Sequence, residues 1–251
     1  MNNRNKQNSF ETPVGTVKVE HLAHFSLYLE WNGIRIYVDP YGDLFDFSDM
    51  PKADLILLTH AHTDHYDCKA IACIAVPQTE FIVSKAVGWC LDGDFSKADP
   101  SMNQVNMYDE IPFTKECHVT VLENGDYVMV KGIGITATAA YNIENFRENG
   151  KPFHIKGEGN GYLLDLGGFR IYVAGDTELI PEMEAFKGAD ILFLPKNMPF
   201  TFSDEKFIEA ANYLSPKNLF PVHYFEMDSR KLRDGIAGEI NLYVDGALVR
   251  K

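Results

Sequence analysis

One stretch of the sequence constrains the chain more than any other, the segment Thr-His-Ala-His-Thr-Asp-His at residues 59–65. Three histidines and one aspartate fall within six consecutive positions there. The preceding run Ala-Asp-Leu-Ile-Leu-Leu, at residues 53–58, has the length and bulk of a strand buried on both faces. A buried strand that ends in a loop rich in imidazole and carboxylate groups is typical of a metal site, because the strand fixes where the ligands stand.

The spacing within this segment predicts how its groups divide. His60 and His62 are two residues apart, so an extended backbone points both side chains to the same side. Asp64 and His65 follow at once, and we expect them to face a second ion from the other side of the turn. Four ligand-capable groups at one strand end are poorly explained as ordinary surface residues, so we interpret the segment as metal-binding.

Charge and composition argue against several classes of protein. The formal net charge of −13 disfavours nucleic acid and an anionic membrane surface as partners, because both need a basic surface. The four cysteines form no Cys-x-x-Cys pair, which favours reduced thiols over a zinc–thiolate site. Residues 1–12 are polar and predict a disordered tail without a signal peptide, and no stretch is long enough to span a bilayer. We expect one cytoplasmic domain over residues 13–251, as a monomer or a homo-oligomer.

The two halves of the chain resemble each other. Arg-Ile-Tyr-Val at residues 35–38 returns at 170–173, and the run at 53–58 resembles Ala-Asp-Ile-Leu-Phe-Leu at 189–194. Strand composition alone can also produce such an echo. If the echo is structural, each half places a hairpin strand before a buried strand. This pattern predicts an α+β fold, a four-layer αββα sandwich of two mixed sheets with helices outside and pseudo-duplicated halves.

Local signals place the elements around these strands. Asn32-Gly33 and Gly167-Gly168 predict hairpin turns. Ser203 is a suitable N-cap for a helix over residues 204–214, which carries apolar residues on one face. Residues 142–160 are polar and contain several glycines, so we predict a long loop there.

Two further residues stand where the second half would deliver ligands to the same edge. Asp176 ends the second hairpin within Ala-Gly-Asp-Thr, and His223 follows a short late strand. Each residue alone would be unremarkable, and an aspartate after glycine is often only a turn residue. Together with residues 59–65 they predict a two-ion site. One ion would be held by His60 and His62, the other by Asp64, His65 and His223, with Asp176 between them.

These motifs resemble those of the metallo-β-lactamase superfamily of metal-dependent hydrolases. The resemblance rests on residues 59–65, on Gly-Asp-Thr at 175–177 and on His223, in this order over nearly the whole chain. The segments His-Leu-Ala-His at 21–24 and Val-Asp-Pro at 38–40 are similar to the branch that includes the ascorbate-6-phosphate lactonase and the N-acyl-phosphatidylethanolamine phospholipase D. The resemblance implies an αββα sandwich and two divalent ions, with Zn²⁺ preferred and Mn²⁺ as the alternative.

The sequence departs from the superfamily pattern at one position. A third histidine usually follows the strand before the bridging aspartate, but here that strand end reads Ala-Ala-Tyr-Asn at residues 139–142. Either Asn142 offers its amide oxygen, which is a weaker ligand for zinc, or His154 enters from the loop. The first site is therefore predicted to be weaker, to prefer a harder ion such as Mn²⁺, or to be only partly occupied. His21 and His24 are expected either to orient a ligand or to be plain strand residues.

We predict a hydrolase in which two ions activate a shared water for attack on an ester-type bond. A phosphodiester or a lactone of a small, anionic substrate is favoured. Asp64 is expected to hold its ion and to accept a proton during the cycle. Tyr141, Lys196 and Tyr224 stand next to motif ends, where they would either stabilise negative charge or only pack.

The missing histidine motivates a second reading, a metal-binding or ligand-sensing protein without turnover. A third reading is iron-dependent oxidation. His65 and the bridging Asp176 favour the hydrolytic site over the latter.

Overall fold

The computed structural model describes residues 5–97 and 101–249, in which two mixed sheets pack face to face. The first sheet has seven strands, which lie side by side in chain order. They are β1 (Asn8–Thr12), β2 (Gly15–Ala23), β3 (Ser26–Trp31), β4 (Ile34–Val38), β5 (Leu55–Leu58), β6 (Glu80–Ser84) and β7 (His118–Leu122).

The second sheet has eight strands, again adjacent in chain order. They are β8 (Tyr127–Val130), β9 (Ile133–Ala140), β10 (Gly159–Leu166), β11 (Phe169–Val173), β12 (Ile191–Pro195), β13 (Asn218–Val222), β14 (Asn241–Val244) and β15 (Ala247–Val249). In each sheet antiparallel hairpins come first and a parallel run follows, through β4 to β7 and through β11 to β14. The carboxyl ends of each parallel run therefore share one edge.

Helices cover the outer faces of both sheets. The α-helices are α1 (Cys68–Ile74), α2 (Lys85–Asp92), α3 (Met107–Glu110), α4 (Asp204–Leu214) and α5 (Ser229–Gly235). Short 3-10 helices occupy Phe95–Lys97, Pro112–Glu116 and Pro181–Phe186. Among the described residues, no helix is both long enough and apolar enough to cross a bilayer.

Strand β5 shows why the sandwich needs apolar runs. Leu55 and Leu57 enter the core between the sheets, whereas Ile56 and Leu58 enter the core beneath α1 and α2. A third core lies between the second sheet and α4, and it includes Leu192 and Phe207. Successive side chains of a strand point to opposite faces, so a strand between two cores must be apolar at every position. The predicted four-layer αββα sandwich is confirmed.

The echo between the halves recurs in individual hydrogen bonds. Asp54 accepts a bond from the backbone N–H of Arg35 at 2.9 Å, and its own N–H donates to the Arg35 carbonyl at 2.9 Å. Asp190 and Arg170 form the same pair of bonds, at 2.8 and 2.9 Å. The repeated Arg and Asp positions thus lock equivalent strand pairs, β4 to β5 and β11 to β12, and the pseudo-duplication is structural.

The amino terminus differs from the predicted disordered tail. Residues 1–4 lie outside the described part, but residues 8–12 form β1 and pair with β2. The reason is packing, since Phe10 lies edge-on to Phe220 and Tyr243, with ring centroids 6.3 and 5.9 Å apart. By contrast, the capped helix over residues 204–214 is confirmed, because the Ser203 side chain accepts a bond from the Lys206 N–H.

Candidate metal centre

The predicted ligands meet at the edge where parallel strands of both sheets end. Asp39 follows β4 and residues 59–65 follow β5 in the first half, whereas Asp176 and His223 follow β11 and β13 in the second. Because equivalent strands in both sheets end at this edge, ligands far apart in sequence come together. The convergence predicted from the sequence is therefore present.

Three imidazoles form the first group. His60, His62 and His154 each offer a ring nitrogen, and these nitrogens lie within 4.8 Å of one another. His60 Nε2 is 2.9 Å from His62 Nδ1, and the His154 ring lies 5.0 Å from that of His60. His154 is 7% exposed, and its Nε2 faces Asp176 Oδ2 at 3.2 Å without a well-aligned hydrogen bond. The loop histidine therefore supplies the third imidazole that the strand end lacks.

A carboxylate and three imidazoles form the second group. Asp64, His65 and His223 belong to it as predicted, and His24 joins them within 4.8 Å. Asp64 Oδ2 lies 3.0 Å from His24 Nε2, 3.3 Å from His223 Nε2 and 3.8 Å from His65 Nε2. The sequence allowed two roles for His24, a residue that orients a ligand or a plain strand residue. The structure places its ring directly against Asp64.

Asp176 lies between the two groups. Its Oδ2 is 3.2 Å from His154 Nε2, 3.2 Å from His223 Nε2, 3.5 Å from His65 Nε2 and 3.9 Å from His60 Nε2. Its other oxygen, Oδ1, is buried without a hydrogen-bond partner. A carboxylate that faces ring nitrogens of both groups is placed to bridge two cations.

The imidazoles of His60, His62 and His65 are oriented by hydrogen bonds from behind. His60 Nδ1 lies 3.0 Å from Thr59 Oγ1, and because that hydroxyl donates to Asp39, its oxygen is left to accept. His65 Nδ1 lies 2.8 Å from Asp39 Oδ2. A hydrogen bond at Nδ1 fixes the tautomer and leaves Nε2 facing the site. In His62 the two ring nitrogens have exchanged roles: Nε2 lies 2.9 Å from Ser101 Oγ, and Nδ1 faces His60.

Asn142 lies behind His154, so its assignment as an alternative ligand is corrected. Its Oδ1 accepts the backbone N–H of His154 at 2.7 Å and lies 2.8 Å from His154 Nδ1. Its Nδ2 donates to the buried carboxylate of Glu178 at 3.0 Å. Glu178 also accepts backbone N–H bonds from Ile143, Glu144 and Asn145, at 2.6–2.9 Å. The amide thus holds the imidazole, and the carboxylate holds the turn that carries the amide.

Burial and neighbouring imidazoles favour the neutral forms of His60 and His62. Burial lowers the pKa of His62 to about 3, with nearby His154 acting in the same direction. Burial, followed by the neighbouring His65 and His62, holds the pKa of His60 well below its usual value. A neutral imidazole keeps the lone pair that a metal ligand needs.

For the carboxylates and for His65, the pKa shifts favour the charged form instead. Burial opposes ionisation of Asp176, but His223 and His65 hold its pKa well below the usual range, and His65 and His223 do the same for Asp64. Burial also opposes a charge on His65, but Asp176, Asp64 and Asp39 raise its pKa well above the usual value. The field of these carboxylates attracts positive charge, which a divalent cation would supply in place of the proton.

The donor set fits a divalent cation. The buried Nε2 atoms of His65 and His154 face Asp176 Oδ2 at 3.5 and 3.2 Å without well-aligned hydrogen bonds, and Asp176 Oδ1 has no partner. Buried polar groups without a partner are rare in folded proteins. Imidazole nitrogens and carboxylate oxygens are ligands of Zn²⁺ and of related divalent ions. The residues present therefore form clusters able to bind metal.

Backbone strain also concentrates here. His24, Asp39 and His223 adopt left-handed φ angles of 51°, 44° and 64°. The His223 N–H donates to the His24 carbonyl at 2.7 Å, which ties the two strained residues together across the sheets. Non-glycine residues in this conformation persist where the surrounding structure enforces it, which is common at functional sites.

The three predicted substrate-binding residues direct their polar ends elsewhere. The Tyr141 hydroxyl bonds Glu182 at 3.0 Å, Lys196 Nζ lies 2.8 Å from Asp204, and the Tyr224 hydroxyl bonds Asp245 at 2.6 Å. Proximity to a motif in sequence did not set the direction of these side chains. These contacts therefore lend no support to the predicted substrate-binding roles of Tyr141, Lys196 and Tyr224.

A cleft of about 310 Å³ opens over the ligands instead. Besides site residues it is lined by Tyr41, Ser101, Arg147, Phe200 and Phe225. Arg147 Nη2 donates to Ser101 Oγ at 2.7 Å, and Ser101 in turn contacts His62. Sequence reasoning missed these residues because each stands in a loop without a motif.

The comparisons with known proteins agree with this geometry. Residues 18–223, which include every ligand named above, match the family model of the Beta-lactamase superfamily domain. A UPF0173 metal-dependent hydrolase of Thermus thermophilus is 28% identical over 217 residues, 83% of this chain and 84% of that protein. A crystal structure from Parabacteroides distasonis, described provisionally as a metal-dependent hydrolase, is 33% identical with a TM-score of 0.78, covering 96% of this chain and 99% of that one.

A more distant structure extends the likeness in fold alone. The metallo hydrolase Igni18 from Ignicoccus hospitalis is 21% identical with a TM-score of 0.65. The match covers 93% of this chain and 97% of Igni18. The two-sheet architecture is therefore shared over nearly the whole length of both chains.

Proposed function

The chain belongs to the beta-lactamase superfamily and is a metal-dependent hydrolase, and from that premise we propose that it holds two divalent cations and cleaves an ester-type bond in a small molecule. The observation that carries the proposal is the position of Asp176 between two ligand groups beneath an open cleft. A phosphodiester or a lactone is the preferred substrate type. Zn²⁺ is the preferred ion and Mn²⁺ the alternative.

The residues divide between two positions. His60, His62 and His154 would hold the first ion, Asp64, His65 and His223 the second, and Asp176 would contact both. When bound, divalent cations supply Lewis-acid polarisation of the scissile group and lower the pKa of the attacking water to about 7. His24 supports the second position through its contact with Asp64.

Asp64 is the carboxylate placed to handle protons. Its side chain is 33% exposed and lines the cleft, whereas that of Asp176 is 2% exposed. In hydrolysis the water oxygen bonds to phosphorus or to the acyl carbon, and the bond to the leaving oxygen breaks. Asp64 would accept the water proton and return it to the leaving oxygen, so that an acid and an alcohol result.

The cleft supports an anionic substrate. Arg147 lines it and brings a guanidinium, which is permanently charged and suited to planar anions. We assign Arg147 to the anionic part of the substrate.

The alternative hypothesis, a metal-binding or ligand-sensing protein without turnover, loses its motivation. It rested on the absence of a histidine after β9, and His154 would supply that imidazole from the following loop. A complete N/O ligand set under an open cleft supports catalysis.

Metal analysis combined with turnover tests the proposal. We expect two ions per chain, and EDTA-sensitive cleavage of bis-p-nitrophenyl phosphate or of members of a lactone panel. Asp64→Asn should lower kcat by about 100-fold or more, because the proton acceptor is lost. Asp109→Asn, at an exposed residue of α3, is the matched control and should leave kcat unchanged. Two ions per chain without turnover on any ester would contradict the proposal.

A further inference from the structure

The walls of the cleft are aromatic, although the floor is polar. Phe225 is 68% exposed and Phe200 is 39% exposed, and both line the cleft above Asp64 and Asp176. Large apolar side chains at such exposure gain free energy when a ligand covers them. Their position at the mouth of the metal centre makes a bound substrate the nearest candidate to cover them.

The aromatic walls are fixed from behind. The Phe225 ring lies 4.9 Å from the His24 ring at 34°, and the Phe200 ring lies edge-on to Phe153 at 5.1 Å. Phe153 in turn carries the Arg147 guanidinium 4.9 Å from its ring centroid. Two rings with packed backs and exposed faces form a pre-organised surface, which reduces the entropy cost of binding.

The cleft also limits the size of its occupant. Its volume of about 310 Å³ is at the lower end of the range for small-molecule sites. That volume accommodates one ring together with the group being cleaved. Flat aromatic groups gain more against aromatic walls than their area alone provides, because the ring quadrupoles favour offset and edge-on contacts.

We propose that the cleft selects anionic esters in which an aromatic group flanks the scissile bond. Phe200 and Phe225 would contact that group, and Arg147 would contact the negative charge. The inference rests on the proposed function, because the scissile bond must lie over the metal ligands. It adds a substrate class and two specificity-determining residues, which neither the ligand set nor the family membership provides.

Binding of three phosphonates to the metal-loaded protein tests the inference without requiring turnover. Phenyl-, cyclohexyl- and methylphosphonate share one charged group and differ only in the attached group. Calorimetry should show phenylphosphonate binding about tenfold more tightly than methylphosphonate, with cyclohexylphosphonate between them. Equal affinities for phenyl and methyl would overturn the inference, and equal affinities for phenyl and cyclohexyl would overturn its aromatic part.

Substitution of the two phenylalanines tests which side chains produce the preference for the phenyl group. Phe200→Ala and Phe225→Ala should each bring the phenyl-to-methyl ratio toward one, at a metal content equal to that of the wild type. Phe200→Ala is the cleaner variant, because Phe225 also packs on His24. Tyr127→Ala removes an exposed aromatic residue of β8 outside the cleft lining and should preserve the ratio. A ratio that survives both phenylalanine variants contradicts the assignment.

The outcome separates this inference from the proposed function. If phenylphosphonate is preferred but no ester is hydrolysed, the proposed function fails while the aromatic cleft stands. If esters are hydrolysed without any preference for an aromatic group, the aromatic cleft fails while the hydrolase assignment stands.

Discussion

His65 and His154 face the same carboxylate, Asp176, but the two halves of the molecule support them differently. His65 Nδ1 lies 2.8 Å from Asp39, a fully buried carboxylate next to β4. His154 Nδ1 lies 2.8 Å from the neutral amide of Asn142, and only the far side of that amide meets a carboxylate, Glu178. In the first half a carboxylate contacts the imidazole directly. In the second half the Asn142 amide lies between the imidazole of His154 and the carboxylate of Glu178, an arrangement that we call the relay.

The difference bears on how strongly each imidazole binds a cation. A carboxylate behind an imidazole fixes its orientation and raises its basicity. An amide fixes the orientation but carries no charge to raise the basicity. We therefore expect the position served by His154 to bind its ion more weakly than the position served by His65. The weaker first site predicted from the missing strand-end histidine thus acquires a physical cause.

Removing the direct carboxylate should have the largest effect. Asp39→Asn keeps the shape but removes the charge behind His65 and disturbs the bonds from the Thr59 N–H and hydroxyl. We expect metal affinity at the second position to fall about 10- to 100-fold. Competition with a zinc chelator measures the change. Asp43→Asn, in the exposed loop after β4, serves as control, and unchanged affinity in Asp39→Asn would remove the basis of the comparison.

A carboxylate placed directly behind His154, in the position of the Asn142 amide, tests the comparison between the two halves further. Asn142→Asp alone places two carboxylates about 3 Å apart, because Asn142 Nδ2 lies 3.0 Å from Glu178, and like charges at that distance disfavour ionisation of both. We expect this variant to bind the first ion less tightly than the wild type. Asn142→Asp combined with Glu178→Gln should bind it several-fold more tightly than the single variant, since the repulsion is gone. The same chelator competition measures both, and equal affinities would contradict the relay.

The metal-free protein should show opposite pH dependences of stability for the two ligand groups. The pKa of His62 is about 3 in the folded chain and about 6.5 when unfolded, so its contribution to stability is present at pH 7 and lost as pH falls through that window. The pKa of His65 is raised, so its contribution is present below about pH 6.5 and lost as pH rises. His62→Gln should therefore flatten the acid side of a stability–pH curve, and His65→Gln the alkaline side.

Urea unfolding in EDTA between pH 5 and pH 9 measures these slopes. A single buried group changes the free energy of unfolding by at most about 1.4 kcal/mol per pH unit. His118→Gln, at a residue whose side chain is 73% exposed, is the control and should follow the wild type. Identical slopes in the two site variants would mean that the two ligand groups do not differ as described.

The sequence could reveal ligands that are fixed by local geometry. His60, His62, Asp64 and His65 follow one buried strand, so their convergence needs no knowledge of the rest of the chain. The echo between the halves extended this reasoning to Asp176 and His223, because equivalent strands end at one edge of a sandwich. The fold could be predicted from the same strands, because the repeated runs at residues 53–58 and 189–194 are apolar at nearly every position.

A ligand that depends on long-range contacts could be named from the sequence only as an alternative, as His154 was. His154 reaches the site because Asn142 and Glu178 fold its loop back, and these bonds join residues up to 36 positions apart. The hydroxyl of Tyr141 is directed to Glu182, 41 positions away, and nothing in the sequence indicated that contact. Phe200 and Phe225 were missed because an isolated phenylalanine in a loop carries no periodic signal.

The metal content of the wild type and of His154→Ala tests the central claim most directly, with His118→Ala as a matched control. Each protein is loaded with Zn²⁺, passed over a desalting column and analysed by mass spectrometry of the metal. The two-group arrangement predicts two ions per chain in the wild type and in His118→Ala, and one in His154→Ala. One ion in the wild type, or two retained in His154→Ala, would contradict a first position completed by the loop histidine.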